Sequence, residues 1–155
     1  MTDLIEGDEA PEFELQTDGG ETVSLRNLKG KPVVVYFYPK DDTSGCTKEA
    51  VDFSGLKRKF EEKGAKIIGI SPDSVRDHEK FKTKHDLTVM LASDIEKTTV
   101  QSYGVWVEKS MYGRRYMGVE RTTFLIGPDG RISKIWRKVK VPGHADLVLT
   151  EVQAL

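Results

Sequence analysis

The sequence predicts an α/β domain with a mixed central sheet flanked by helices and an N-terminal β-hairpin extension. Val33–Tyr38 and Ala65–Ile70 are continuous apolar runs, which are typical of strands buried on both faces of a sheet. A segment with helical spacing of apolar residues follows each run, as in parallel strands joined by crossover helices. Near the C-terminus, two further strand-like runs are separated only by the tight turn GPDG, which favours an antiparallel pair.

The N-terminal hairpin is predicted from a turn-rich spacer between two short segments. Phe13–Thr17 and Thr22–Leu25 flank the sequence DGGE, whose glycines suit a tight turn. The next strand, Val33–Tyr38, ends at Pro39 because proline has no N–H to donate to a neighbouring strand.

Two helices are predicted to connect the buried strands. The first covers about Thr47–Lys63, and Gly64 is a natural C-terminal stop. Its apolar residues recur at the spacing of one helix face, at Ala50, Phe53, Leu56 and Phe60. The second helix is predicted with Ser71 as its N-cap and Pro72 in its first turn, and it runs to about His85.

The C-terminal half continues the alternation. Val89–Ala92 is predicted as a short strand, and SDIEKTTVQSY as a capped helix that ends before Gly104. The segment GVWVEKSMYGRRYMG has the composition of a loop. Val119–Ile126 and Arg131–Val139 are predicted strands joined by GPDG, and a last helix covers Asp146–Ala154.

Composition excludes several classes of function. The chain of 155 residues has 24 Lys+Arg against 25 Asp+Glu, and a net charge of -1 gives no field for nucleic acid or an anionic membrane. No apolar run approaches the ~20 residues that span a bilayer, and the acidic N-terminus is unlike a signal peptide. A single cysteine fits a reducing compartment. We therefore expect one soluble, cytoplasmic domain over residues 1–155, without a cofactor or a metal site.

Cys46 is the residue on which a functional hypothesis rests. A lone cysteine in such a domain is usually an inert packing residue. Here, however, Cys46 follows the polar sequence KDDTSG and opens a helix, where unpaired N–H groups and the positive end of the helix dipole favour a thiolate. It also follows the carboxyl end of a buried strand, where open α/β sheets place their sites. The sequence therefore predicts a reactive thiol.

The surrounding residues resemble a known family. Pro39, Thr43 and Cys46 match the Pro-x-x-x-Thr-x-x-Cys motif of peroxiredoxins, which are thiol peroxidases on a thioredoxin-like fold. YFYPKDDTSGCTKEA, YGVWVEKSMYGRRYMGVERTTFLI and KVKVPGHAD together resemble the peroxiredoxin Q, or bacterioferritin-comigratory-protein, subfamily. This resemblance implies that hydrogen peroxide and organic hydroperoxides are reduced to water and alcohol through a Cys46 sulfenic acid.

Two departures from the subfamily pattern bear on the mechanism. Ser44 stands where many members have proline, and Val51 stands where many carry a resolving cysteine. The resemblance therefore implies a one-cysteine enzyme that is reduced by an external thiol: thioredoxin, glutaredoxin or a low-molecular-weight thiol. A monomer or a weak homodimer is expected. The sequence CTKE excludes the Cys-x-x-Cys chemistry of thioredoxins, and a non-catalytic redox sensor or chaperone that acts through Cys46 oxidation is the alternative.

Ionising the thiol cannot supply the whole rate of a peroxidase. Lowering a cysteine pKa from ~8.5 to ~6 raises the thiolate fraction at neutral pH roughly thirtyfold. Nucleophilicity falls at the same time with a Brønsted slope of ~0.4–0.5, which removes about tenfold. The larger contribution must come from orientation of the peroxide and from stabilisation of charge as its O–O bond lengthens.

The resemblance assigns these tasks to particular residues. Thr43 would direct its hydroxyl to the peroxide, although a helix-capping role also fits its position. Pro39 would shield the thiolate without offering a competing donor. Arg121 would favour the thiolate and hold the developing charge. The backbone N–H of Cys46, with that of Gly45, would complete the oxygen-binding site.

Several other residues have a functional and a packing interpretation. Trp106, Tyr112 and Met117 either line an apolar rim for the substrate or serve ordinary packing. Glu49 either fixes Arg121 or Tyr36 by hydrogen bonding or is an exposed first-turn acid. The histidines lack the carboxylate spacing of a metal site, and His144 is remote from Cys46 in sequence.

Overall fold

The fold is taken from a computed structural model and is described for residues 3–155. Its strands are β1 (Glu14–Thr17), β2 (Thr22–Ser24), β3 (Val33–Phe37), β4 (Lys66–Ser71), β5 (Met90–Ser93), β6 (Trp106–Met111), β7 (Arg114–Val119), β8 (Thr122–Ile126) and β9 (Ile132–Trp136). Its α-helices are α1 (Ser44–Glu62), α2 (Val75–His85), α3 (Thr98–Ser102) and α4 (His144–Gln153), and a 3₁₀ helix covers Leu25–Leu28. No helix in this part of the chain is long and apolar enough to cross a membrane.

The central sheet is mixed, as the sequence predicts. Its seven strands have the order β2-β1-β5-β4-β3-β8-β9. Strands β3, β4 and β5 run parallel to one another. On one side β8 pairs antiparallel with β3, and β9 with β8. On the other side β1 pairs antiparallel with β5, and β2 with β1. The predicted N-terminal hairpin and the predicted β8–β9 hairpin are both present.

Strand β3 separates the two layers of the core. Every residue of β3 is buried, and alternate side chains point to opposite faces of the sheet. On one face Tyr36 stacks on Phe53 of α1, with ring centroids 4.7 Å apart, and the same layer includes α4 and Cys46. On the other face Phe37 packs against Tyr103 and Phe124. The stacked rings therefore fix α1, and with it Cys46, against the end of β3.

Three sequence-based predictions are wrong in detail. The strand predicted over Val119–Ile126 is interrupted, because β7 ends at Val119 and β8 begins at Thr122. The segment that has the composition of a loop forms an antiparallel hairpin, β6–β7, outside the main sheet. Its turn is Tyr112–Gly113, where both residues have positive φ (53° and 77°), as a two-residue hairpin turn of this kind requires. In addition, α2 begins at Val75, and its N-cap is Ser74, which accepts a hydrogen bond from the Asp77 N–H. Ser71 does not cap α2, because it ends β4 and donates to Asp73 instead.

Candidate active site

Cys46 lies in the first turn of α1, immediately beyond the carboxyl end of β3. The residue is only 1% exposed and belongs to the apolar layer beneath α1. The first backbone hydrogen bond of the helix runs from the Thr47 N–H to the Thr43 carbonyl at 2.8 Å. The N–H groups of Ser44, Gly45 and Cys46 precede it, at a position where a helix has no carbonyl to offer them. They are therefore donors available to an anion or to a peroxide oxygen.

Arg121 is brought to Cys46 by the junction between β7 and β8. Its Nη2 donates to Cys46 Sγ at 3.3 Å across 75 residues of sequence. The carbonyl of Arg121 accepts from the Val139 N–H at 2.9 Å, which holds the junction in place. Burial lowers the pKa of Arg121, but the charges of Glu49 and Cys46 outweigh that effect, and the net pKa is raised. A permanent positive charge therefore faces the sulfur.

Glu49 holds the other side of the guanidinium. Its Oε1 accepts from Arg121 Nη1 at 2.7 Å, and the residue is 1% exposed. Burial raises the pKa of Glu49 to about 7, although Arg121 acts in the opposite direction. Of the two bonds expected for Glu49, to Arg121 or to Tyr36, the structure shows the first. Glu49 Oε2 and the Tyr36 hydroxyl are both buried without a hydrogen-bond partner among residues 3–155.

Thr43 is the N-cap residue of α1, but its side chain does not cap the helix. Its hydroxyl donates to the Lys40 carbonyl at 2.9 Å, so the oxygen lone pairs are left for another donor. Gly45 lies against Arg121: a Cβ added there would be 3.1 Å from Nη2. Glycine at this position therefore allows the guanidinium to lie close to the start of the helix. Pro39 stands between β3 and this loop and is half-buried.

The three residues expected to form an apolar rim, Trp106, Tyr112 and Met117, are not shown in contact with Cys46. Trp106 packs against the layer on the opposite face of the sheet from Cys46, and Lys97 Nζ lies 5.9 Å from its ring centroid. Tyr112 is 99% exposed at the hairpin tip, and Met117 is also exposed. A substrate-binding role for Trp106 remains a prediction.

Three features of the site have no signal in the sequence. The side chain of Lys109 lies against Gly118, where an added Cβ would be 3.2 Å from Lys109 Cδ. Burial and the charge of Arg121 lower the pKa of Lys109, while the charge of Cys46 acts to raise it. His144, remote in sequence, bonds Thr123 Oγ1 through Nε2 at 2.8 Å. Burial and the charge of Arg121 lower the pKa of His144 to about 4.

The third feature is a cluster of metal-binding residue types. Atoms of Asp41, Asp73 and His78 that could ligate a metal lie within 4.8 Å of one another. His78 Nδ1 and Asp41 Oδ2 are 2.6 Å apart and already share a hydrogen bond, while Asp73 Oδ2 accepts from the Asp41 N–H and from Ser71 Oγ. A cation would have to replace these hydrogen bonds. We therefore interpret the cluster as a hydrogen-bond network and not as a metal site.

Comparison with known proteins agrees with this geometry. Residues 6–135 match the AhpC/TSA family. The chain is 52% identical to peroxiredoxin Bcp of Bacillus subtilis over 138 residues, which cover 89% of this chain and 88% of that protein. A solved structure of Xanthomonas campestris peroxiredoxin Q is similar at a TM-score of 0.88 and 45% identity, covering 92% of this chain and 90% of that one. The structure of a Xylella fastidiosa PrxQ mutant is similar at a TM-score of 0.94 and 38% identity, and the match covers 99% of this chain and 98% of that one.

Proposed function

This chain belongs to the AhpC/TSA family as a peroxiredoxin of the Bcp and peroxiredoxin Q type, and we propose that Cys46 is its peroxidatic nucleophile. Similarity to the solved peroxiredoxin Q structures confirms the predicted thioredoxin-like fold. The activity of the protein is thiol-dependent reduction of peroxides. The single observation that carries the assignment of the nucleophile is the bond from Arg121 Nη2 to the sulfur of the only cysteine.

The proposed reaction begins with attack of the Cys46 thiolate on the terminal oxygen of a hydroperoxide. A sulfur–oxygen bond forms as the O–O bond breaks, and the leaving alkoxide or hydroxide takes a proton to become alcohol or water. The cysteine is thereby oxidised to a sulfenic acid and the peroxide is reduced. The negative charge passes from the sulfur to the leaving oxygen during this step, so the site must supply donors that stabilise charge on the peroxide.

The residues around the sulfur fit these requirements. Arg121 Nη2, which already donates to Sγ at 3.3 Å, is placed to stabilise the negative charge as it passes from the sulfur to the peroxide. The N–H groups of Gly45 and Cys46 offer further donors on the helix side. The hydroxyl of Thr43 donates to the Lys40 carbonyl, so its oxygen can accept a hydrogen bond from the O–H of the peroxide. Pro39, which has no N–H of its own, would shield the thiolate without offering a competing donor. We assign these five residues to the catalytic site, with Arg121 positioned by Glu49.

Regeneration requires a thiol from outside the chain. Position 51 is a valine that is 45% exposed, and Cys46 is the sole cysteine. We infer that thioredoxin, glutaredoxin or a low-molecular-weight thiol attacks the sulfenic acid. Such reductants are abundant in a reducing compartment such as the cytoplasm, which we propose as the location of the protein, acting as a monomer or a weak homodimer.

The first experiment is rapid mixing of the reduced protein with hydrogen peroxide, beside Cys46→Ser, with intact mass measured on the product. The expected result is fast consumption of one equivalent, with addition of a single oxygen that a small thiol removes. A rate no higher than that of a free thiol would reject the nucleophile assignment. It would leave a redox sensor acting through Cys46 oxidation as the better description of the site.

A further inference from the structure

We propose that His78 and Asp41 form a buried pair through which α2 holds the Pro39–Thr43 loop in the conformation that peroxide reduction requires. The inference rests on the proposed function of Cys46 and adds two positioning residues to it. Neither residue belongs to the Pro-x-x-x-Thr-x-x-Cys pattern: Asp41 occupies one of its variable positions, and His78 lies on another element.

The imidazole of His78 joins three parts of the fold. The residue is 0% exposed. Its Nε2 lies 3.1 Å from the Ala92 carbonyl in β5, and because a carbonyl can only accept, this nitrogen is the donor. Its Nδ1 lies 2.6 Å from Asp41 Oδ2, so one proton is shared between the ring and the carboxylate. The ring therefore links α2 and the central sheet to the loop.

Asp41 is fixed at its side chain and at its backbone. The side chain is only 7% exposed. Its Oδ1 accepts from the Tyr38 hydroxyl at 2.6 Å, while Oδ2 is engaged by His78. The N–H of Asp41 donates to Asp73 Oδ2 at 2.9 Å, and Ser71 Oγ donates to that same oxygen at 2.6 Å. The partners of Asp41 thus come from the ends of β3 and β4 and from α2.

The position of Asp41 is transmitted to the catalytic threonine by the chain itself. The Thr43 hydroxyl donates to the carbonyl of Lys40, whose peptide bond continues into Asp41. A shift of Asp41 would therefore reorient the Thr43 side chain. The carbonyl of Thr43 accepts from the Thr47 N–H at 2.8 Å, so the same shift would disturb the first turn of α1.

A second contact from α2 supports the same loop at its exposed edge. Asp42 has a positive φ of 62°, a backbone conformation that needs support from its surroundings. Its carboxylate bonds Lys84 Nζ at 2.7 Å and His85 Nε2 at 2.6 Å. These exposed pairs contribute little on their own, so the buried His78–Asp41 pair supplies most of the restraint. Removing either member would leave a buried polar group without its partner.

The test compares Asp41→Asn, His78→Asn and the double variant with wild type. Lys82→Gln is the matched control, because Lys82 is on the same helix but pairs with Asp18 at 2.9 Å, away from the loop. Stopped-flow oxidation of reduced Cys46 by hydrogen peroxide should slow about tenfold in each single variant. The double variant should be no slower than the slower single variant, since the two residues act as one unit.

Two further readouts separate positioning from a general loss of structure. The pH dependence of Cys46 alkylation by iodoacetamide should stay at its wild-type midpoint, because Arg121 still faces the sulfur. Lys82→Gln should keep the wild-type oxidation rate even where its melting temperature falls. Wild-type oxidation rates in folded Asp41→Asn, additive losses in the double variant, or an alkylation midpoint that shifts enough to account for the slower oxidation would each overturn the proposal. Asp41→Asn, which is nearly isosteric, decides the question if His78→Asn does not fold.

Failure of the proposed function is recognised separately. If wild-type Cys46 reacts with peroxide no faster than a free thiol, the peroxidase assignment fails while the restraint on the loop can still be measured. Amide hydrogen exchange at residues 40–45 should then be faster in Asp41→Asn than in wild type. Equal exchange in the two proteins would overturn the positioning role.

Discussion

The guanidinium of Arg121 divides its donors between two groups, with Nη2 directed at Cys46 Sγ and Nη1 at Glu49 Oε1. A planar fork can satisfy both partners at once, whereas the single ammonium of lysine cannot. We therefore expect Arg121→Lys to keep the positive charge but to lower the rate constant for Cys46 oxidation by about a hundredfold. Stopped-flow mixing with hydrogen peroxide measures this rate.

Arg115→Lys is the matched control for that substitution. Arg115 is exposed on β7, and its Nε lies 3.5 Å from Glu108 Oε1. It has no role in the proposed chemistry. This variant should react at the wild-type rate. A wild-type rate in Arg121→Lys as well would show that charge alone, without the forked geometry, is enough for the reaction.

The titration of Glu49 predicts a pH dependence of stability. Burial raises the pKa of Glu49 to about 7 in the folded protein, whereas the unfolded value is ~4.3. Between these values the folded state binds more protons than the unfolded state, so this group's contribution to stability declines as pH rises from ~4.3 to about 7. In Glu49→Gln that decline is absent. The variant should therefore gain stability relative to wild type across this window, by up to roughly 4 kcal/mol.

Urea unfolding of wild type and Glu49→Gln at a series of pH values measures this difference. Only the difference is informative, because His144 has the opposite sign. Burial lowers its pKa to about 4, so its contribution grows as pH rises towards the unfolded value of ~6.5. His144 is present in both proteins and cancels. Parallel curves for the two proteins would show that Glu49 stays ionised throughout this range.

Individual residues of the site differ in how far the sequence predicts them. Pro39, Thr43 and Cys46 are close in sequence, so one short motif contains all three. The ion pair between Glu49 and Arg121 spans 72 residues, and its geometry depends on how β8 pairs with β3. His78 and Asp41 are 37 residues apart, and neither side chain has a local pattern that distinguishes a buried pair from two surface residues.

At the scale of elements, α1 carries two glycines whose surroundings differ. A Cβ at Gly45 would lie 3.1 Å from Arg121 Nη2, whereas nothing lies within 4 Å of one at Gly55. We expect Gly45→Ala to displace the guanidinium and to slow Cys46 oxidation about tenfold. Gly55→Ala, on the same helix, should leave the oxidation rate unchanged and stabilise the protein by about 1 kcal/mol through helix propensity.

Stopped-flow oxidation and thermal unfolding of both variants give the comparison. The two substitutions add the same methyl group to the same helix, so a difference in rate reports the contact with Arg121. Equal rates in Gly45→Ala and Gly55→Ala would mean that the guanidinium moves aside without loss of function.

The elements themselves were predictable where one of their faces is buried. Strands β3 and β4 are apolar along almost their whole length, and α1 shows a helical pattern, because all three pack into the core. The β6–β7 hairpin was missed because it lies outside the main sheet and most of its residues are exposed or half-buried. Without a buried face the alternation of apolar and polar side chains disappears.

At the scale of the whole molecule, the fold buries a thiol for which the chain provides no resolving cysteine. The chain contains one cysteine, which is 1% exposed. A sulfenic acid formed at Cys46 therefore waits for an external thiol, and during that time a second peroxide can oxidise it to the sulfinic acid. We expect wild type to lose activity within a few turnovers when peroxide is in excess and thiol is scarce. Intact mass should then show the gain of two oxygen atoms.

Val51→Cys tests whether the missing thiol is the cause, with Val51→Ala as its matched control. On α1, positions 46 and 51 are separated by about 7.5 Å along the helix axis and by about 140° around it. A disulfide needs Cα atoms within about 6.8 Å of each other. The first turns of α1 must therefore unwind before a bond can form. Val51→Cys should form an intramolecular disulfide after oxidation, with a loss of helical signal in circular dichroism, and should resist inactivation. Val51→Ala should inactivate like wild type. If wild type instead remained active through many turnovers with peroxide in excess and thiol scarce, the one-cysteine mechanism would be wrong.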